Sequence, residues 1–127
     1  IFIAPSNPVT SIGPILAVPG VRDTLRNTTA RIAAISPIVG GDAVSGPAAK
    51  LMRMKGWSVS PAGIAEAYKD FAHLIIADSR DASEQTSIEK LGKQAAFTNT
   101  IMQSDADKTS LAQFALESVS QLKEAVR

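Results

Sequence analysis

The chain has 127 residues, 45% of them hydrophobic, and its 13 basic and 12 acidic side chains leave a formal net charge of +1. That size suits a single domain burying roughly two thirds of its unfolded surface, and the scattered, balanced charge gives no electrostatic case for a nucleic-acid partner. Cysteine is absent, which excludes disulfides and thiolate metal sites and fits a cytoplasmic setting.

The run Ile1-Phe2-Ile3-Ala4 is short, continuous and apolar, the pattern of a buried strand. It passes into Pro5-Ser6-Asn7-Pro8-Val9-Thr10-Ser11-Ile12-Gly13-Pro14-Ile15, where prolines and a glycine stiffen the backbone and Ser6, Asn7, Thr10 and Ser11 carry small hydrogen-bonding groups. A strand that ends in such a loop and turns into a helix is how open α/β sheets build ligand sites, with main-chain N–H groups favouring anions. The same stretch also reads as an ordinary strand-to-helix connection. Residues 12–21 form the longest apolar stretch, but it is interrupted by Gly13, Pro14, Pro19 and Gly20 and is too short to span a bilayer, so no membrane partner is expected.

Pro19 marks a helix start, and Val21 and Leu25 among Arg22, Asp23 and Arg26 give a short amphipathic segment. Arg31-Ile32-Ala33-Ala34-Ile35-Ser36 is the second strand, and residues 37–46 read as a long glycine-bearing loop. Pro47 takes the first position of a helix that runs to Lys55 and stops at Gly56. Trp57-Ser58-Val59 reads as briefly extended. Ser60-Pro61 opens the next helix, with Ile64, Ala67, Tyr68 and Phe71 at helical spacing. Leu74-Ile75-Ile76-Ala77 is the third strand, residues 81–91 a helix, and Gln94-Ala95-Ala96-Phe97 the fourth strand. The last helix starts near Asp105, with Leu111, Phe114, Ala115, Val119 and Leu122 on one face, and that face is the surface nominated for contacts in a homo-oligomer.

Strands alternating with helices predict an α/β fold: an open, mostly parallel, Rossmann-like sheet with helices on both faces, formed by residues 1–127 as a single region. The loops after the four strands then share one edge, gathering Ser6, Asn7 and Ser11, then Ser36, Gly40 and Gly41, then Asp78, then Thr98 and Asn99. Gly40-Gly41 allows close backbone approach to a phosphate or serves as a flexible connection; no nucleotide-binding glycine fingerprint is present. Ser45-Gly46-Pro47 is a helix start that suits an anion or water. Asp78 either caps the following helix or holds a ribose hydroxyl or metal, and the cap is favoured. His73, the sole histidine, has no partners at catalytic spacing and reads as a strand-edge residue. Trp57, Tyr68 and Phe71 read as core.

Several strings in order resemble the CofD family of 2-phospho-L-lactate transferases. They are residues 5–20; Ser36-Pro37-Ile38-Val39-Gly40-Gly41 with Val44, Gly46-Pro47-Ala48 and Lys50-Leu51-Met52; Gly63-Ile64-Ala65-Glu66-Ala67-Tyr68 with Asp70-Phe71; Asp78 with Asp81-Ala82; and Thr98-Asn99-Thr100-Ile101-Met102. The resemblance implies an enzyme of coenzyme F420 biosynthesis. Such an enzyme moves a 2-phospholactyl group from lactyl-2-diphospho-5′-guanosine to the deazaflavin precursor Fo, releases GMP and requires Mg²⁺. It further implies that Ser6, Asn7, Pro8, Ser11, Gly13, Ser36, Gly40 and Gly41 form part of the nucleotide-side pocket.

Members of the family are more than twice as long, and the chain matches their carboxyl-terminal part. It is therefore expected to be an incomplete portion of a larger domain, inactive alone, with Mg²⁺ and Fo ligands lying elsewhere. The missing initiator methionine and the helical pattern at Arg127 agree with that expectation. The competing resemblance is to YvcK-like regulators that bind nucleotide-sugars without transferring a group; Ser11-Ile12-Gly13-Pro14-Ile15 resembles the transferase form.

Overall fold

A computed structural model of the chain describes residues 1–122. Four strands, β1 (Phe2–Ile3), β2 (Ala33–Ile35), β5 (Leu74–Asp78) and β6 (Gln94–Thr98), form one sheet in the order β1-β2-β5-β6. Every pairing in it is parallel. The two central strands are buried at every residue, which is why their sequences are unbroken apolar runs rather than alternating ones. Alternate residues serve opposite faces. Ala33, Ile35, Leu74 and Ile76 meet one group of helical side chains, whereas Ile32, Ala34 and Ile75 meet another. The register sets Ala33 against Leu74 and Ile35 against Ile76, so each face is continuous across the strand boundary.

Helices α1 (Ile12–Ala17), α2 (Val21–Asn27), α3 (Ala48–Met54), α4 (Pro61–Ala67) and α5 (Gln85–Glu89) precede α6 (Asp105–Ser120). Leu16, Met52, Ile64, Tyr68, Phe71 and Ile88 build the larger core on the first face. Ser60 starts α4 by accepting the Gly63 N–H at 3.2 Å, with Pro61 at the first helical position. Gly63 has no alternative, because a β-carbon there would fall on the Ser58 carbonyl oxygen. The second face is covered by α6, through Leu111 and Ala115, and by Leu122 just beyond its end. That helix opens with a reciprocal cap: Asp107 N–H donates to Ser104 Oγ (3.1 Å) and Ser104 N–H to Asp107 Oδ2 (3.0 Å). The α6 face nominated for oligomer contacts therefore packs on the chain's own sheet. Only Leu116 among its large apolar side chains stands well exposed.

Three local expectations are corrected. The segment Ile12–Ala17 is helical despite Gly13 and Pro14, since Pro14 lies within the first turn, where its missing N–H leaves no bond unmade. The supposed long loop is a hairpin, β3 (Ile38–Val39) against β4 (Asp42–Ala43). Gly40 (φ 61°) and Gly41 (φ 83°) supply its tight turn, both in the left-handed region. The helix expected over residues 81–91 is a 3₁₀ turn, Ser79–Glu84, followed by the short α5.

Candidate functional site

The cleft of interest, about 330 Å³, opens at the carboxyl ends of β1 and β2. Its wall on one side is the opening loop, through Ser6, Asn7, Thr10 and Ser11; on the other are Ser36, Pro37, Thr100 and Met102, with residues 44–48 completing the rim. This is the position at which parallel sheets hold ligands.

Asn7 shapes the loop. Its Oδ1 accepts the N–H groups of Val9 (2.9 Å) and Thr10 (3.2 Å), and its carbonyl accepts those of Ser11 and Ile12, each at 3.0 Å. The side chain thus closes the turn, as a short polar residue does where backbone must reverse. Ser36 is buried, with its Oγ donating to the Ile38 carbonyl (3.3 Å) and accepting the Ile38 N–H (3.1 Å), so it fixes the step from β2 into the hairpin. The hydroxyls of Ser6, Thr10, Ser11 and Ser45 make no hydrogen bond to protein among the described residues, and neither does the Asn7 amide nitrogen. Those groups are the cleft's uncommitted polar atoms.

Asp78 stands behind the Thr100 wall and is 3% exposed. Its Oδ1 accepts the Arg80 N–H (3.1 Å), while Oδ2 accepts the Thr100 N–H (3.0 Å) and hydroxyl (3.3 Å). Burial alone would raise its pKa. The bonds from Thr100 and Arg80, with the Arg80 guanidinium, outweigh burial and hold the carboxyl below its ordinary range. The capping role expected for Asp78 is present, and the same group also ties down the segment after β6. Asp81 points elsewhere: both its oxygens accept the Gly40 N–H, each at 3.1 Å. The two carboxylates therefore do not share a site. Among the described residues no cluster of histidine, cysteine or carboxylate side chains could hold a metal.

Of the residues singled out from the sequence, Ser6, Asn7, Ser11 and Ser36 meet at the cleft. Pro8 and Gly13 line a separate groove instead, where Gly13 lets α1 approach the Pro8 carbonyl. Gly40 and Gly41 line neither, and the Gly40 N–H is engaged by Asp81. Thr100 and Met102 are additional lining residues. The polar step after the fourth strand pointed there, but β6 runs to Thr98, so the wall falls two residues later than Thr98-Asn99 suggested.

The family model described as 2-phospho-L-lactate transferase CofD matches residues 1–121. The chain belongs to the CofD family. It is 44% identical over 113 residues to the 2-phospho-L-lactate transferase of Methanosarcina barkeri, a match covering 89% of this chain and 36% of that protein. The enzyme of the same name from Methanothermobacter thermautotrophicus is 44% identical over 116 residues (91% and 37%). That of Methanocaldococcus jannaschii is 43% identical over 117 residues (92% and 36%). This CofD-family chain thus spans little more than a third of the length of those curated relatives.

Proposed function

We propose that the chain supplies part of the nucleotide-side pocket of a 2-phospho-L-lactate transferase in coenzyme F420 biosynthesis. The donor is lactyl-2-diphospho-5′-guanosine, the acceptor is Fo, and GMP leaves. The observation that supports this reading most is the set of unbonded hydroxyls of Ser6, Thr10 and Ser11 around one cleft at the carboxyl ends of parallel strands. A diphosphate presents acceptor oxygens only, so a wall of small donors on a stiff loop suits it.

In this reading Ser6, Ser11 and the Asn7 amide donate to the phosphates, while Pro8, Gly13 and Ser36 keep the loop and the β2 exit in place. The Gly40-Gly41 turn acts at one remove, by positioning the hairpin that leads to Val44 and Ser45. Mg²⁺ would neutralise charge on the transferring and leaving phosphates. Asp78 and Asp81 are engaged by main-chain donors; in this reading the metal's protein ligands belong to the larger enzyme, and no step is assigned to it on this segment. The chain by itself does not turn over.

Calorimetric titration of GDP into the larger enzyme of which this chain is part, with Mg²⁺ present, tests the proposal. Saturable binding is expected, weakened roughly threefold to tenfold by Ser11→Ala, the loss of one ordinary hydrogen bond. Absence of GDP binding overturns the reading. Binding of a uridine nucleotide-sugar in its place transfers the assignment to the regulatory, non-transferring group.

A further inference from the structure

The second groove, about 520 Å³, shares no lining residue with the cleft, although the opening loop contributes to both. Pro14 and Leu16 belong to its apolar wall, and its polar groups are those of Arg22, Lys55, Trp57 and Tyr68. All four can donate a hydrogen bond, and no carboxylate lines the groove.

Tyr68 is 2% exposed as a residue, and its hydroxyl, which makes no hydrogen bond to any described residue, opens onto the groove rather than being fully buried. Among the described residues no fully buried side-chain nitrogen or oxygen lacks a partner, so this hydroxyl is left to bond whatever occupies the groove. Burial also keeps this phenol protonated, outweighing the opposite pull of the nearby Arg22 guanidinium. The Trp57 indole N–H and the Lys55 ammonium likewise have no protein partner among the described residues. Arg22 is held rigidly: Nε and Nη2 grip the Asp70 carboxylate at 2.7 Å each, Nη2 also reaches the Ala67 carbonyl at 3.1 Å, and the guanidinium lies 5.3 Å from the Phe71 ring centre. Asp70 therefore balances Arg22, and Lys55 supplies the groove's net positive charge.

We propose that this groove binds a small amphipathic organic acid, its apolar body against Pro14, Leu16 and Trp57 and its carboxylate received by the Tyr68 hydroxyl and the Lys55 ammonium. One net cation beside apolar walls suits a monoanion better than a phosphate. The volume lies in the range of small-molecule sites. This site is independent of the nucleotide reading of the cleft.

Trp57 is the only tryptophan, so its fluorescence reports on the groove directly. Titration of the chain with 4-phenylbutyrate should give a saturable change, with affinity about tenfold above that of the uncharged 4-phenylbutan-1-ol, as a charge-assisted pair predicts. Tyr68→Phe should weaken the acid about fivefold to tenfold while leaving the thermal midpoint unchanged, because the deleted hydroxyl bonds nothing in the protein. Lys55→Gln, at an exposed position that cannot unfold the chain, should bring the acid's affinity down to that of the alcohol. The proposal is overturned by absence of saturable binding, by equal affinity for acid and alcohol, or by acid binding that survives both substitutions.

Discussion

Asp78 shows what one side chain does for the cleft. It joins the end of β5, the first turn of the 3₁₀ segment and Thr100, so it fixes a wall it does not itself form. Replacing it with asparagine removes the charge and leaves one oxygen for three donors. We expect a loss of about 1–3 kcal/mol at neutral pH, measured by urea unfolding. The carboxyl is depressed in the folded state, so its stabilisation is complete above its unfolded pKa, about 4, and fades as pH falls through the lower folded value. The gap between parent and Asp78→Asn should accordingly narrow as pH falls below about 4; a gap that stays constant on acidification would show that the charge is not responsible. The sequence placed Asp78 at a strand end and favoured a cap, which Arg80 confirms. Its bond to Thr100, 22 positions away, depends on β6 lying beside β5 and has no local signature.

Among elements, the β3–β4 hairpin is the one the residue pattern concealed. Its signal was present, since a Gly-Gly pair between Ile38-Val39 and Asp42-Ala43 is a tight-turn signature. Two strands of two residues each are too short for periodicity to register. In this turn Gly40 serves φ, and a β-carbon there meets no protein atom within 4 Å. Gly40→Asn should therefore fold with stability within about 0.5 kcal/mol of the parent, since asparagine tolerates the left-handed region and keeps the N–H that Asp81 accepts. Unchanged GDP affinity in that variant is also expected. A large loss of affinity with intact folding would mean that ligand does press against the glycine. The opening loop was legible for a different reason: proline, asparagine and serine fix a turn through local bonds alone, although the α1 helix beyond it was obscured by Gly13 and Pro14.

At the level of the molecule, the parallel sheet and the sites of its four strands followed from apolar runs alternating with helical patterns. The partner of each face did not follow. The apolar stripe of α6 looked available for another copy of the chain, and nothing in its spacing distinguishes an outer contact from an inner one. Burial of Leu111 at 4% exposure decides it. Leu111→Ala should destabilise the chain by about 2–4 kcal/mol in denaturant unfolding, whereas Leu116→Lys, at a position 62% exposed, should change stability by less than about 0.5 kcal/mol. Comparable losses from both would mean that the outward side of α6 is also covered.

The spatial sequence β1-β2-β5-β6 is also the temporal one. During synthesis β2, β5 and β6 each leave the ribosome after the neighbour they join, and none of the three must be threaded between two earlier arrivals. These four strands can thus be added in turn, each onto the edge left by the one before, without waiting for the strand that follows.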